Sequence, residues 1–91
     1  MCEVVNKYRS RYDVYIGRGS RWGNPFVIGR DGGRDEVIAK YRAHLWAQVK
    51  SGDVTLDDLR ELNGKRLGCF CKPKACHGDV IAKAVAWAME Q

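Results

Sequence analysis

The feature that most constrains this chain is a short apolar run that leads into a basic loop and then a helix start. Leu67-Gly68-Cys69-Phe70 has no polar alternation, so the strand it predicts, Lys65 to Phe70, is covered on both faces and central in its sheet. A sheet with a doubly covered strand needs helices or loops packed over it. The rest of the chain supplies the helices. Val37, Ile38, Tyr41, Leu45 and Val49 recur at three-to-four spacing and predict a helix over 34–51, with Asp35 and Glu36 in its first turn and Gly52 at its end. Leu56, Leu59 and Leu62 predict a short helix over 55–62 capped by Thr55. Ile81, Ala84, Val85 and Ala88 form the stripe of a last helix that starts near Cys76–Gly78. Two further strands are expected at 3–8 and 13–17, from Val4, Val5, Tyr8, Val14, Tyr15 and Ile16. The order is β-β-α-α-β-α. It reads as an α/β domain, a two-layer or three-layer sandwich with a short mixed sheet and about three helices.

Ninety-one residues make a single domain, 1–91. No apolar run reaches the roughly 18–20 residues of a membrane span, and the first residues lack a secretory signal pattern. The expected compartment is the cytoplasm, with no membrane partner. That setting argues against a disulfide framework for Cys2, Cys69, Cys71 and Cys76.

The net charge is +5, and it is uneven. Between Lys7 and Arg34 seven basic residues face only Asp13 and Asp31. Such a stretch attracts phosphates, nucleotides or nucleic acid.

Two segments carry the candidate chemistry. In the first, Ile16 to Phe26, Arg18 and Arg21 can fork onto phosphate. Trp22 and Phe26 offer flat faces to a base, and Asn24 offers a donor and an acceptor. Pro25 holds Asn24 extended. This segment belongs to a glycine-dense stretch, Gly17 to Gly33, whose composition argues against a regular element. In the second, Cys71 to Asp79, Lys72 and a helix N-terminus make a recurrent anion site. Cys76 sits where a thiol can be activated, and His77 or Asp79 could act as a base. Asp79 stands three residues after Cys76, as in a capping box. If the second and third strands are parallel neighbours, both segments open on one edge of the sheet, where α/β folds bind ligands.

Zinc is a rival reading of Cys69, Cys71, Cys76 and His77. Against it, Cβ atoms two residues apart on a strand lie about 6.5–7 Å apart, whereas tetrahedral zinc needs sulfurs roughly 3.8 Å apart. The first reading therefore includes no metal and no cofactor.

The runs Val14-Tyr15-Ile16-Gly17-Arg18, Trp22-Gly23-Asn24-Pro25-Phe26, Gly68-Cys69-Phe70-Cys71-Lys72-Pro73 and Cys76-His77-Gly78-Asp79-Val80 together resemble domain of unknown function 4326, a small domain frequent in bacteriophages and their hosts. The resemblance spans about Val5 to Ala84, and Tyr41 also fits its pattern. It implies a stand-alone α/β domain of phage or prophage origin, which would work in the host cytoplasm, and it supplies no activity.

The reading that results is a domain that binds a phosphate-bearing, nucleotide-derived small molecule. The ligand residues are Arg18, Arg21, Trp22, Asn24, Pro25, Phe26, Tyr41, Cys71 and Lys72. Cys76, His77 and Asp79 are the candidates for catalysis, and whether the ligand is held or also cleaved is left open. The alternatives are a zinc-stabilised binding module and a basic nucleic-acid-binding protein whose affinity falls with salt. Trp46 and Trp87 sit on helices with apolar neighbours and read as core or as an association surface, which Val80 and Ala84 could continue into a homo-oligomer contact.

Overall fold

The computed structural model describes residues 2–70 and 74–91. Among the described residues three strands and three helices run in the expected order: β1 (Glu3–Asn6), β2 (Val14–Tyr15), α1 (Arg34–Ser51), α2 (Leu56–Arg60), β3 (Arg66–Cys69) and α3 (His77–Met89). The apolar strand β3 is central, with β1 and β2 on either side of it.

One expectation is corrected. The sheet is not mixed: β1 and β2 both pair parallel to β3, with Val4 and Val14 each opposite Leu67. β1 and β2 run in the same direction on either side of β3, so no tight hairpin can join them. The segment after β1 therefore turns at Asn6, whose carbonyl accepts from the N–H groups of Arg9 and Ser10, and returns over one face of the sheet. Tyr12 lies on that face, directly over Gly68. A Cβ at Gly68 would stand 2.6 Å from Tyr12 Cγ, so glycine in the central strand is the space into which the connection fits. Gly68→Val is expected to cost about 2 kcal/mol by overpacking, read by urea denaturation. Removing the Tyr12 ring in the same chain should recover part of that loss. No recovery would show that the ring is not the obstacle.

The opposite face is covered by α3, which packs on β1 and also touches α1 and α2. Its approach is close: a Cβ at Gly78 would stand 2.7 Å from Ile16 Cδ1 and 2.8 Å from Val4 Cγ1. Ile81, Ala84, Val85 and Ala88 of α3 are buried against Tyr41 and Leu45 of α1, Leu59 of α2 and Leu67 of β3. Each of the larger side chains contributes about 1.5–3 kcal/mol by leaving water.

The helix ends obey the sequence signals. Gly52 ends α1 with φ +87°, a left-handed turn that a side chain would strain. Thr55 and Asp58 cap α2 reciprocally at 3.1 and 2.9 Å. No basic residue sits in the last turn of α3. Arg60 of α2 supplies that charge instead, donating to the carbonyls of Ala88 and Gln91 at 3.2 and 2.7 Å. Trp46 and Trp87, read from the sequence as core or an association surface, pack edge to face on each other with ring centres 4.9 Å apart, partly buried against the core. Among the described residues no helix is long and apolar enough to cross a membrane.

Candidate functional site

Because the strands are parallel, their carboxyl ends all emerge on one edge of the sheet: Lys7 and Tyr8 come after β1, Ile16 to Arg18 after β2, and Phe70 after β3. A cleft of about 190 Å³ opens there. Gly17, Arg18, Asn24 and Phe26 of the glycine-dense segment form one wall. Cys69, Phe70, Cys76 and His77 form the other, and Arg34 with Val37 and Ile38 from the start of α1 closes the third side. Two segments some fifty residues apart in the chain thus meet, as the sequence reading requires.

Not every expected residue is there. Arg18, Asn24, Phe26, Cys76 and His77 line the cleft, whereas Arg21, Trp22, Pro25, Tyr41 and Asp79 do not. Arg21 turns to α2, bonding Asp58 at 2.8 Å and the Asp53 carbonyl at 3.0 Å. This contact, with help from Thr55, holds the Asp58 carboxyl down at about 2. Trp22 is buried in the core, and its carbonyl accepts from the Tyr41 hydroxyl at 2.9 Å. Burial lifts Tyr41 above the usual phenol range, so it remains a donor. Pro25 is exposed. Cys71 and Lys72 lie outside the described residues.

Asn24 is at the cleft but already engaged. Its Oδ1 accepts from Phe26 N at 2.9 Å and its amide donates to the Val37 carbonyl at 3.3 Å, tying the loop to α1. One residue the sequence reading misses is Arg34, which the sequence presents only as the first residue of a helix. Its guanidinium donates to the Ala75 carbonyl at 3.1 Å and brings a second cation to the cleft.

The floor is a knot of internal bonds. Cys76 caps α3: its Sγ accepts from Gly78 N at 3.3 Å, and its own N–H donates to Asp79 at 3.2 Å. Asp79 N donates to the Cys76 carbonyl at 3.0 Å. Most of the donors that a helix start could offer an anion are therefore used within the cap. Cys76 Sγ lies 3.1 Å from Cys69 Sγ and 3.6 Å from His77 Nδ1, and Cys76 is only 1 % exposed.

His77 is 8 % exposed, with Nε2 2.7 Å from the Ile16 carbonyl. A carbonyl only accepts, so Nε2 carries the proton and Nδ1 presents its lone pair toward Cys76. Burial lowers the His77 pKa first, and the Arg18 charge adds to this. The Ile16 and Trp22 carbonyls and Asp79 oppose it. The imidazole is neutral at pH 7. Among the described residues no group of three ligating side chains is placed to hold a metal ion.

Two Arg residues and no carboxylate line this cleft among the described residues. A second hollow, about 310 Å³ between α1 and α3, contrasts with it: there Arg42 and Lys83 are balanced by Asp35 and Asp79.

Fold and cleft define the class: a small parallel α/β domain with a cationic, partly aromatic cleft at the carboxyl edge of its sheet. The chain belongs to the family described as domain of unknown function DUF4326, whose model matches residues 3–87. It is 49 % identical over 86 residues to a protein of Enterobacteria phage T4 described as the uncharacterized 12.4 kDa protein in the nrdA-td intergenic region, an overlap of 93 % of this chain and 78 % of the relative. No solved structure matches it.

Proposed function

We propose that the cleft binds a phosphate-bearing, nucleotide-derived ligand and holds it without cleaving it. The observation behind this is the imbalance of the lining: Arg18 and Arg34 stand beside the rings of Phe26 and Phe70, with no acid among the described lining residues. Guanidinium groups fork onto phosphate oxygens, and an aromatic wall suits a base. Arg18 is exposed and forms no ion pair among the described residues, so its charge is available.

The case for holding rather than cleaving comes from the floor. The Cys76 sulfur, both His77 nitrogens and the Asp79 carboxylate face protein partners and are buried or half-buried. A general base needs a free lone pair within reach of the proton it takes.

Thermal-shift and calorimetric titration against nucleoside mono-, di- and triphosphates at low salt test the reading. Stabilisation by at least one of them is expected, with no phosphate released. Arg18→Ala should weaken binding about 10- to 100-fold, the worth of a charge-assisted hydrogen bond. No binding up to millimolar ligand would overturn the proposal, and phosphate release would overturn its second half.

A further inference from the structure

We infer that the sheet edge beside the cleft is a platform for single-stranded nucleic acid. The inference goes beyond the cleft reading and stands apart from it.

Three aromatic rings gather around one ammonium there. Lys7 Nζ lies 4.8 Å from the ring centre of Tyr15, 4.8 Å from that of Phe70 and 5.4 Å from that of Tyr8. Tyr8 and Phe70 are 5.4 Å apart and tilted, and Tyr15 meets Phe70 edge-on at 6.0 Å. Such a cluster normally belongs in a core. Here Tyr8 is 76 % exposed and Phe70 46 % exposed. Each strand end contributes to it, since Lys7 and Tyr8 come directly after β1, Tyr15 ends β2 and Phe70 comes directly after β3. The rings are thus fixed to the sheet and not carried on a long loop.

The surrounding charge identifies the occupant. Lys7, Arg9, Arg11 and Arg18 form no ion pair among the described residues, and the one acid in that stretch, Asp13, whose carboxylate accepts from the Arg66 N–H at 2.8 Å, still leaves it a net charge of +3. Exposed rings among unbalanced cations match a polymer with flat apolar faces and regular negative charge. Stacking on aromatic side chains with cations along the backbone is how single strands are held without sequence preference. A duplex buries its base faces and cannot stack on Tyr8 or Phe70.

Fluorescence anisotropy of the full chain with a labelled 12-nucleotide oligo-dT, the matching single-stranded RNA and a 12-base-pair duplex tests this. Binding of one or both single strands well above the duplex is expected. If four cations each neutralise one phosphate, affinity should fall roughly 50-fold between 50 and 200 mM salt. Tyr8→Ala, at a side chain too exposed to hold the fold, should weaken binding about 5- to 100-fold. Phe70→Leu, which keeps the apolar bulk and removes the ring, should do the same while the melting temperature stays near that of the parent. Arg9→Ala should reduce the salt slope by about 0.7. No binding at 50 mM salt, equal affinity for the duplex, or Tyr8→Ala binding as tightly as the parent would each overturn the platform. Mononucleotide binding without oligonucleotide binding leaves the cleft reading intact and removes this one, and the reverse pattern does the opposite.

Discussion

Tyr41→Ala should unfold a large part of the population, at a cost of about 3–5 kcal/mol against the roughly 5–15 kcal/mol that holds a small domain together. Three losses coincide. The ring is buried to 2 % exposure in the middle of the core, so its removal leaves a cavity where α1, α3 and the glycine-dense segment meet. The hydroxyl goes with it, and the Trp22 carbonyl loses a buried donor. The edge contact with the His77 ring, 4.9 Å between centres, is lost too. Tyr41→Phe separates these contributions: it keeps ring and contact, orphans only the carbonyl, and should cost about 1–2 kcal/mol. Urea denaturation of both variants measures the difference. Equal losses would place the whole effect in the hydroxyl, and a loss under about 1 kcal/mol for Tyr41→Ala would contradict the packing described.

The contrast between Tyr41 and its neighbours shows what could be read from the sequence. Tyr41 sits on a helix whose period fixes its face, so its burial with Val37 and Leu45 comes from spacing alone. Trp22 and Arg21 sit in a segment with no period, and nothing local decides which way a side chain points. Their directions are set by partners far along the chain: Tyr41 for the Trp22 carbonyl, and Asp58, 37 residues on, for Arg21. Reading both as ligand contacts assigns reasonable chemistry to side chains already taken by the fold. The central place of β3 is visible in its apolar run, but the parallel pairing of β1 is not, because the short link after it does not resemble a crossover. Gly68 carries the missing signal. A glycine inside a buried strand marks the close approach of something, here Tyr12. Arg34 is hidden for another reason: a first-turn arginine is unremarkable until α1 is seen to start beside Ala75.

Acid should loosen this domain as the pH falls below about 6.5, and His77 is the group responsible. Unfolded, its imidazole takes up a proton near pH 6.5. Folded, burial and the nearby Arg18 charge hold its pKa lower. Between the two values the unfolded chain binds more protons than the native one, so stability rises with pH across that window. The contribution of His77 is complete above about pH 6.5 and is lost as pH falls toward the folded pKa. Asp58, held at about 2 by Arg21 and Thr55, acts far below this range, and so does Asp31, also lowered by its hydrogen bonds. The melting temperature of the parent chain should therefore drop between about pH 7.5 and 5.5. His77→Gln cannot titrate and can still offer an amide N–H to the Ile16 carbonyl, so its curve should be flatter over that interval. His77→Ala should lose about 2–4 kcal/mol at about pH 7.5, through a cavity and an orphaned carbonyl at the end of β2. Because Ile16 O and Cys76 Sγ are the partners of the two ring nitrogens, that variant should also loosen the joint between β2 and α3 that forms the cleft floor. A parent curve no steeper than that of His77→Gln would mean that the imidazole is solvated or already charged in the folded chain, and the floor of the cleft would then have to be redrawn around a cation.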